Sequence, residues 1–428
     1  MYRFAASPTS DMHISNLRVA LFNYLCAKQK NDRFIVRIED TGKEKNNKEN
    51  EQKIVDILKL FGIEYDTLYY QSNNLKFHRQ FAVTLLMQKK AFSCFCTEEI
   101  LETKHQYANA RGEIYCYDGQ CETLSDMEIL NNESPFVIRL KRPKDTFTFL
   151  DHFQGEFHIE PPVIDDFVIM HHDKYPTQVF ARATDDMLQG ITHIIREEKD
   201  IANTPKEESI RAFIGYDQTI TYMHLPSVVN KIGQNDDALS VTQLLNEGFL
   251  PSAIVNYLLR LGQDTPTEIF TIEEALPWFD LQNISRSPVE FDLDTLRYIN
   301  REHIKQMDDL RLSTLVGFAD AGIGKLAKVY TQEVSTLAEI KAKIDGIFKT
   351  KEISPVVAKE FTNIKKAAQE APYFEAFNDY KAHLLQTTGL KEKTFSQSLR
   401  LLLTGFEHGP ELDELYPHLK HYLKEILR

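Results

Sequence analysis

Four of the five cysteines fall between residues 94 and 121, as Cys94-x-Cys96 and then Cys116-Tyr117-x-x-x-Cys121. Thiols this close together suit a metal better than redox chemistry. Zinc takes four ligands in a tetrahedron, mostly sulfur or nitrogen, so three thiolates and one further donor complete a set. The plainer alternative is a small subdomain with free cysteines and no metal. A second stretch, RFAASPTSDMHISN at residues 3–16, runs from an apolar strand through Pro8 to His13 and into a helix. The first N–H groups of a helix have no partners within it, so such a strand–turn–helix corner offers a site for an anion such as a phosphate. His13 opens the helix, where it can serve as a cap or hydrogen-bond a phosphate.

The elements that must position these residues follow from apolar spacing. Ile14, Leu17, Leu21 and Leu25 mark one face of the first helix. Residues 2–6 and RFIVRI at 33–38 are β-prone runs on either side of it, and EQKIVDILKLFGI supplies a second helix. That alternation begins a βαβ unit with a parallel sheet. A polar, cysteine-bearing segment follows from about residue 73 to 160. Strand–helix alternation returns with DDFVIMHH and ITHIIREE, and after Leu225-Pro226 the pattern turns helical to the end. The expected fold is an α/β Rossmann-like domain with an α+β insertion, followed by an all-α C-terminal half.

Bulk properties bound the rest. The 428 residues allow two to four domains, and 42% hydrophobic with 26% charged content is ordinary for a globular chain. No stretch approaches the roughly 20 apolar residues of a membrane span, so a cytoplasmic protein without a membrane partner is expected. The net charge of −13 speaks against nucleic acid only at first sight. Residues 301–428 hold 19 Lys and Arg against 18 Asp and Glu, which leaves the acidic excess to the first 300. Phosphate binding depends on local patches rather than on the total.

These blocks resemble glutamyl-tRNA synthetase, a class I synthetase, in its shorter bacterial form. RFAASPTSDMHISN stands where that family has RFAPSPTG-x-x-HIG, and FIVRIEDT matches its second strand. TDDMLQGITHIIREE, YMHLPSVVN, GFLPSAIVNYLLRLG and LRLLLTG follow in family order. The resemblance implies a catalytic domain split into 1–72 and 183–223 around a connective, acceptor-end-binding insertion at 73–182. It further implies a stem-contact domain at 224–300 and an anticodon-binding domain at 301–428. The implied reaction joins glutamate to tRNA through a glutamyl-adenylate, with ATP and Mg2+, in a monomer that takes tRNA-Glu and, in a second reading, tRNA-Gln.

Matching carries the site over residue by residue. Arg3, Ala5, Ser7, Glu39 and Arg196 fall where the family binds glutamate, Glu39 suiting the ammonium and guanidinium groups the carboxylates. The alternative for Arg3 and Glu39 is a mutual ion pair across neighbouring strand ends. Pro8, Thr9, His13, Ser15 and Asn16 fall on ATP, and His13, Glu198 and Lys231 are the implied catalytic residues. Zinc in the insertion would take Cys94, Cys96, Tyr117 and Cys121, with Cys116 as a replacement for the tyrosine. The chain also departs from the pattern. Ser15 stands for a glycine, Gln178 for an aromatic, Glu197 for a glycine, and KIGQNDDALSV replaces a lysine-bearing loop. Losing one preorganised charge donor typically costs about 10²–10³ in rate, so impaired turnover is expected. In the extreme alternative the chain binds tRNA without catalysis.

Overall fold

The computed structural model describes residues 1–428 except 43–47, 114, 162–163, 231–238 and 352–357. In chain order the first ten strands are β1 (Tyr2–Ala6), β2 (Phe34–Ile38), β3 (Thr67–Tyr70), β4 (Ala91–Cys94), β5 (Val137–Leu140), β6 (Phe147–Asp151), β7 (Gly155–Ile159), β8 (Val168–Met170), β9 (His193–Glu197) and β10 (Thr221–Leu225). The helices among them are α1 (Ile14–Gln29), α2 (Lys48–Leu60), α3 (Leu75–Met87), α4 (Glu98–Ala110), α5 (Asp126–Leu130), α6 (Gln178–Leu188) and α7 (Thr204–Ile214).

A seven-stranded sheet of order β3-β2-β1-β9-β10-β6-β7 carries the first compact unit. Its pairs are parallel from β3 through to β6, and only the β6–β7 hairpin is antiparallel. Strands of a parallel sheet are covered on both faces and read as continuous apolar runs. β2, FIVRI, is buried at every position, yet one of those positions is Arg37. A buried guanidinium inside an apolar run needs a counter-ion brought by another element. That requirement organises the site.

The insertion holds a second, antiparallel sheet of order β4-β5-β8. Ala82 and Leu85 of α3 pack there with Ala91, Leu140 and Met170, together with Phe180 of α6. Segment 73–182 also supplies β6 and β7, which extend the large sheet beside β10. Segment 73–182 therefore shares the large sheet as well as forming its own.

The first unit comprises residues 1–232, 261–264 and 273–291, and the second comprises 233–260, 265–272 and 292–428. Segment 224–300 thus contributes to both. The second unit is helical throughout its described elements, as expected. Asn300, fully buried, ties three of its segments together by accepting from Leu250 N at 2.7 Å and donating to Ser335 O at 2.6 Å. Among the described residues no helix is long and apolar enough to cross a membrane.

Candidate functional site

Alternation along the parallel strands puts Arg3 and Ala5 of β1, Arg37 of β2 and Arg196 of β9 on one sheet face. Ser7 and Glu39 continue that face beyond the strand ends, in line with the pairing of Ala5 with Arg37 and Ala6 with Ile38. The helix that answers these charges is α6. Gln178, Arg182 and Asp186 recur every fourth residue and so share one helix face. Asp186 accepts from Arg3 Nε at 3.2 Å and from Arg37 Nη1 at 2.7 Å. Arg182 grips Glu39 through Nε at 2.8 and 2.9 Å and through Nη2 at 2.8 Å. Its Nη1 reaches Asp200 at 3.1 Å.

Arg3 and Glu39 therefore do not pair with each other. Burial raises the Glu39 carboxyl, but the guanidinium groups of Arg182, Arg37 and Arg3 outweigh it and hold the pKa at about 2. Arg3 moves in the opposite sense. Burial lowers its pKa, and Arg37 and Arg196 add to that against the pull of Asp186. A buried cation facing two others is a place where a further anion is favourable.

Arg196 is held at each of its three nitrogens. Nε reaches His224 Nε2 at 3.0 Å, Nη1 reaches Glu207 at 2.9 Å and Nη2 reaches Thr204 Oγ1 at 2.7 Å. His224 in turn meets Asp151 through Nδ1 at 2.6 Å. Because the Arg196 guanidinium can only donate, His224 Nε2 accepts and the ring proton lies on Nδ1, toward Asp151. Burial lowers the His224 pKa, which keeps that ring neutral. The hairpin β6–β7 thus sets the orientation of Arg196 through one histidine.

At the corner after β1, His13 is the N-cap of α1, with Nδ1 accepting from Ser15 N at 3.1 Å. Ser15 has ordinary helical backbone rather than positive φ, so replacing glycine there brings no strain. Pro8 is buried and Thr9 exposed in the turn. Asn16 donates to Glu197 at 3.1 Å, and Lys199 meets the same carboxylate at 3.0 Å. Glu198 is half-buried at the turn after β9. Lys231 lies outside the described residues, as does most of the segment replacing the lysine loop. The departures at 178 and 197 take part in two hydrogen-bond groups. Gln178 bonds Ser7 and Glu39 at 3.2 and 3.1 Å, Glu197 bonds Asn16, and Asp200 bonds Arg182. A cavity of about 330 Å³ opens here, with Ala5, Ser7, Asn16, Gln178, Arg182 and Asp200 in its wall.

The sulfurs of Cys94, Cys96 and Cys121 lie within 4.8 Å of one another. Tyr117 places its hydroxyl 3.4 Å from Cys94 Sγ and 3.5 Å from Cys96 Sγ. Cys116 is exposed and outside this cluster, so of the two candidates for a fourth donor the tyrosine is the one in place. Burial raises the Cys94 thiol, yet hydrogen bonds from Tyr117 and Arg139 bring it below its ordinary value. Burial pushes Cys96 up to about 11. Three thiols and a phenol at this spacing fit a tetrahedral zinc set.

The sequence alone missed Arg37, Arg182, Asp186 and the Asp151–His224 pair. The fourfold spacing of Gln178, Arg182 and Asp186 was the available signal for α6, whereas nothing local marks Asp151.

Residues 1–298 match the family model described as tRNA synthetases class I (E and Q), catalytic domain. The chain is 51% identical to glutamate–tRNA ligase 2 of Campylobacter jejuni subsp. doylei, covering 100% of each sequence. It is 48% identical to glutamate–tRNA ligase 2 of Sulfurimonas denitrificans, again over 100% of each. Its fold is similar to the crystal structure of a glutamate tRNA ligase from Elizabethkingia meningosepticum, with a TM-score of 0.81 at 23% identity, over 99% of this chain and 97% of that one.

Proposed function

The chain belongs to the class I tRNA synthetases for glutamate and glutamine, and on that basis we propose that it attaches glutamate to tRNA as a glutamate–tRNA ligase. One observation carries the reading into the site: Arg3, Glu39 and Arg196 occupy a single sheet face beside the entry to α1. Arg3 and Arg196 answer the side-chain carboxylate of glutamate, and Glu39, ionised at any pH above its value of about 2, answers the ammonium. Ala5 and Ser7 line the space between.

ATP, with Mg2+, would supply the adenylyl group that activates the reacting carboxylate, with pyrophosphate as the leaving group. This chain's share is to hold that nucleotide at the corner formed by Pro8, Thr9, His13, Ser15 and Asn16. The N-terminal N–H groups of α1 favour negative charge there, and Glu198 and Lys231 complete the assigned set. Cys94, Cys96, Cys121 and Tyr117 would hold zinc as a cross-link of the insertion, away from the chemistry. Segment 73–182 would receive the acceptor end of tRNA-Glu, and residues 301–428 the anticodon, in a monomer.

The test is glutamate- and tRNA-dependent exchange of pyrophosphate into ATP, run with tRNA-Glu and with tRNA-Gln in parallel. Exchange and charging with tRNA-Glu are expected. Tight tRNA binding without exchange on either tRNA would replace the ligase with a tRNA-binding protein.

A further inference from the structure

Of the three arginines Arg3, Arg182 and Arg196, Arg182 is the one in the cavity wall. Arg3 and Arg196 are buried under the sheet face, and Arg196 is engaged at all three nitrogens. Arg182 reaches the cavity wall with its side chain 14% exposed. Among the described residues of that wall the cations are Arg182 and Lys199, and the Lys199 side chain is 67% exposed. A flexible, solvated ammonium fixes a ligand poorly compared with a planar guanidinium held in place.

Arg182 is held in place. Asp200 secures Nη1 from one side, while Nε and Nη2 point at Glu39. A carboxylate and a guanidinium in mutual contact are the mirror of an amino acid's own head group, whose ammonium and carboxylate share one carbon. An ammonium arriving at Glu39 takes up part of that carboxylate's accepting capacity. It thereby frees the Arg182 fork for the carboxylate next to it. The ligase reading, with Arg3 and Arg196 on the substrate side chain, decides which carboxylate that is. The deep arginines take the side-chain end, so the head group lies at the mouth, where Ser7, Asn16 and Arg182 share the wall. The carboxylate to be activated must face the nucleotide corner at α1, and it does so there.

We propose that Arg182 binds the α-carboxylate of the amino-acid substrate and presents it to the nucleotide, with Asp200 as the residue that positions Arg182. The proposal rests on the glutamate–tRNA ligase reading and adds a binding residue that no motif of the sequence assigned.

The experiment compares wild type, Arg182→Ala and Arg182→Lys in tRNA charging, with L-glutamol, which carries an alcohol in place of the α-carboxylate, as competitor. Loss of a charge-assisted fork should raise the glutamate KM of Arg182→Ala by about 10- to 100-fold, with the ATP KM little changed. The preference for glutamate over glutamol should collapse in the same variant, while the preference for glutamate over glutamine persists. Arg182→Lys should recover part of both losses, and it carries the test if the alanine variant does not fold. An unchanged glutamate KM, equal weakening of glutamate and glutamol, or loss of the glutamine preference instead would each overturn the assignment. A wild type that charges no tRNA would end the ligase reading, and calorimetric binding of glutamate and glutamol to the same three proteins would still decide the role of Arg182.

Discussion

Asp186 is a single carboxylate serving two buried guanidinium groups, those of Arg3 and Arg37, and it is itself fully buried. Both arginines influence its ionisation enough to hold it well below the usual carboxylate range, although burial works the other way. Breaking a buried pair by removing one partner leaves an uncompensated charge and costs about 3–5 kcal/mol. Asp186→Asn should show a loss of that order in denaturant unfolding, and a variant that unfolds at the wild-type midpoint would contradict the account. Glu39 gives the pH dependence. Its folded pKa of about 2 lies below the ordinary glutamate value of 4.5, so its stabilisation is complete above pH 4.5 and disappears as pH falls toward 2. Glu39→Gln should flatten the acid limb of a stability–pH curve in that window. Arg3 and Glu39 were legible as charged residues at strand ends. Their partners were not, because α6 lies more than a hundred residues further along the chain and ion pairs leave no mark on local periodicity.

At the scale of elements, the βαβ opening, the insertion and the helical second half could be read from apolar spacing, since each period is a local property. The hairpin β6–β7 could not be placed. Its junction with the large sheet rests on Asp151 pairing with Tyr222, far apart in sequence. Asp151 is fully buried and accepts from Phe153 N and Gln154 N at 2.8 Å as well as from His224. An acidic residue followed by a turn reads simply as a hairpin end, and its second duty toward His224 is invisible until β10 is beside it. Asp151→Asn keeps the shape but removes the charge that holds the His224 proton on Nδ1. Arg196 then loses its fixed acceptor, and the glutamate KM should rise about tenfold, on the scale of one hydrogen bond to a charged group. The ATP KM should stay near wild type. Steady-state charging with varied glutamate and then varied ATP separates the two, and parallel rises in both would indicate a general loss of structure instead.

Across the whole molecule, the two sites make different demands on the same insertion. The proposed glutamate site is built on the seven-stranded sheet and the face of α6, where Arg3 and Arg37 pair with Asp186 and Arg182 with Glu39. The cysteine cluster lies elsewhere in the first unit, where Phe92, Cys94, Tyr117 and Cys121 form their own small core. That core contains few apolar side chains, and a small core usually needs a cross-link such as a metal to hold it. Structural zinc contributes folding free energy directly, and its removal unfolds what it closes. Purified protein should therefore contain about one zinc per chain, the usual load of a single tetrahedral site. Chelation should make the stretch from Phe95 to Leu124 sensitive to protease while leaving calorimetric glutamate binding intact. Because the acceptor end is assigned to this insertion, tRNA charging should fall in step with the zinc lost and return on adding zinc back. A metal-free protein that charges tRNA at the full rate would remove zinc from the assignment. Glutamate binding lost together with the metal would show instead that the cluster supports the large sheet as well as its own segment.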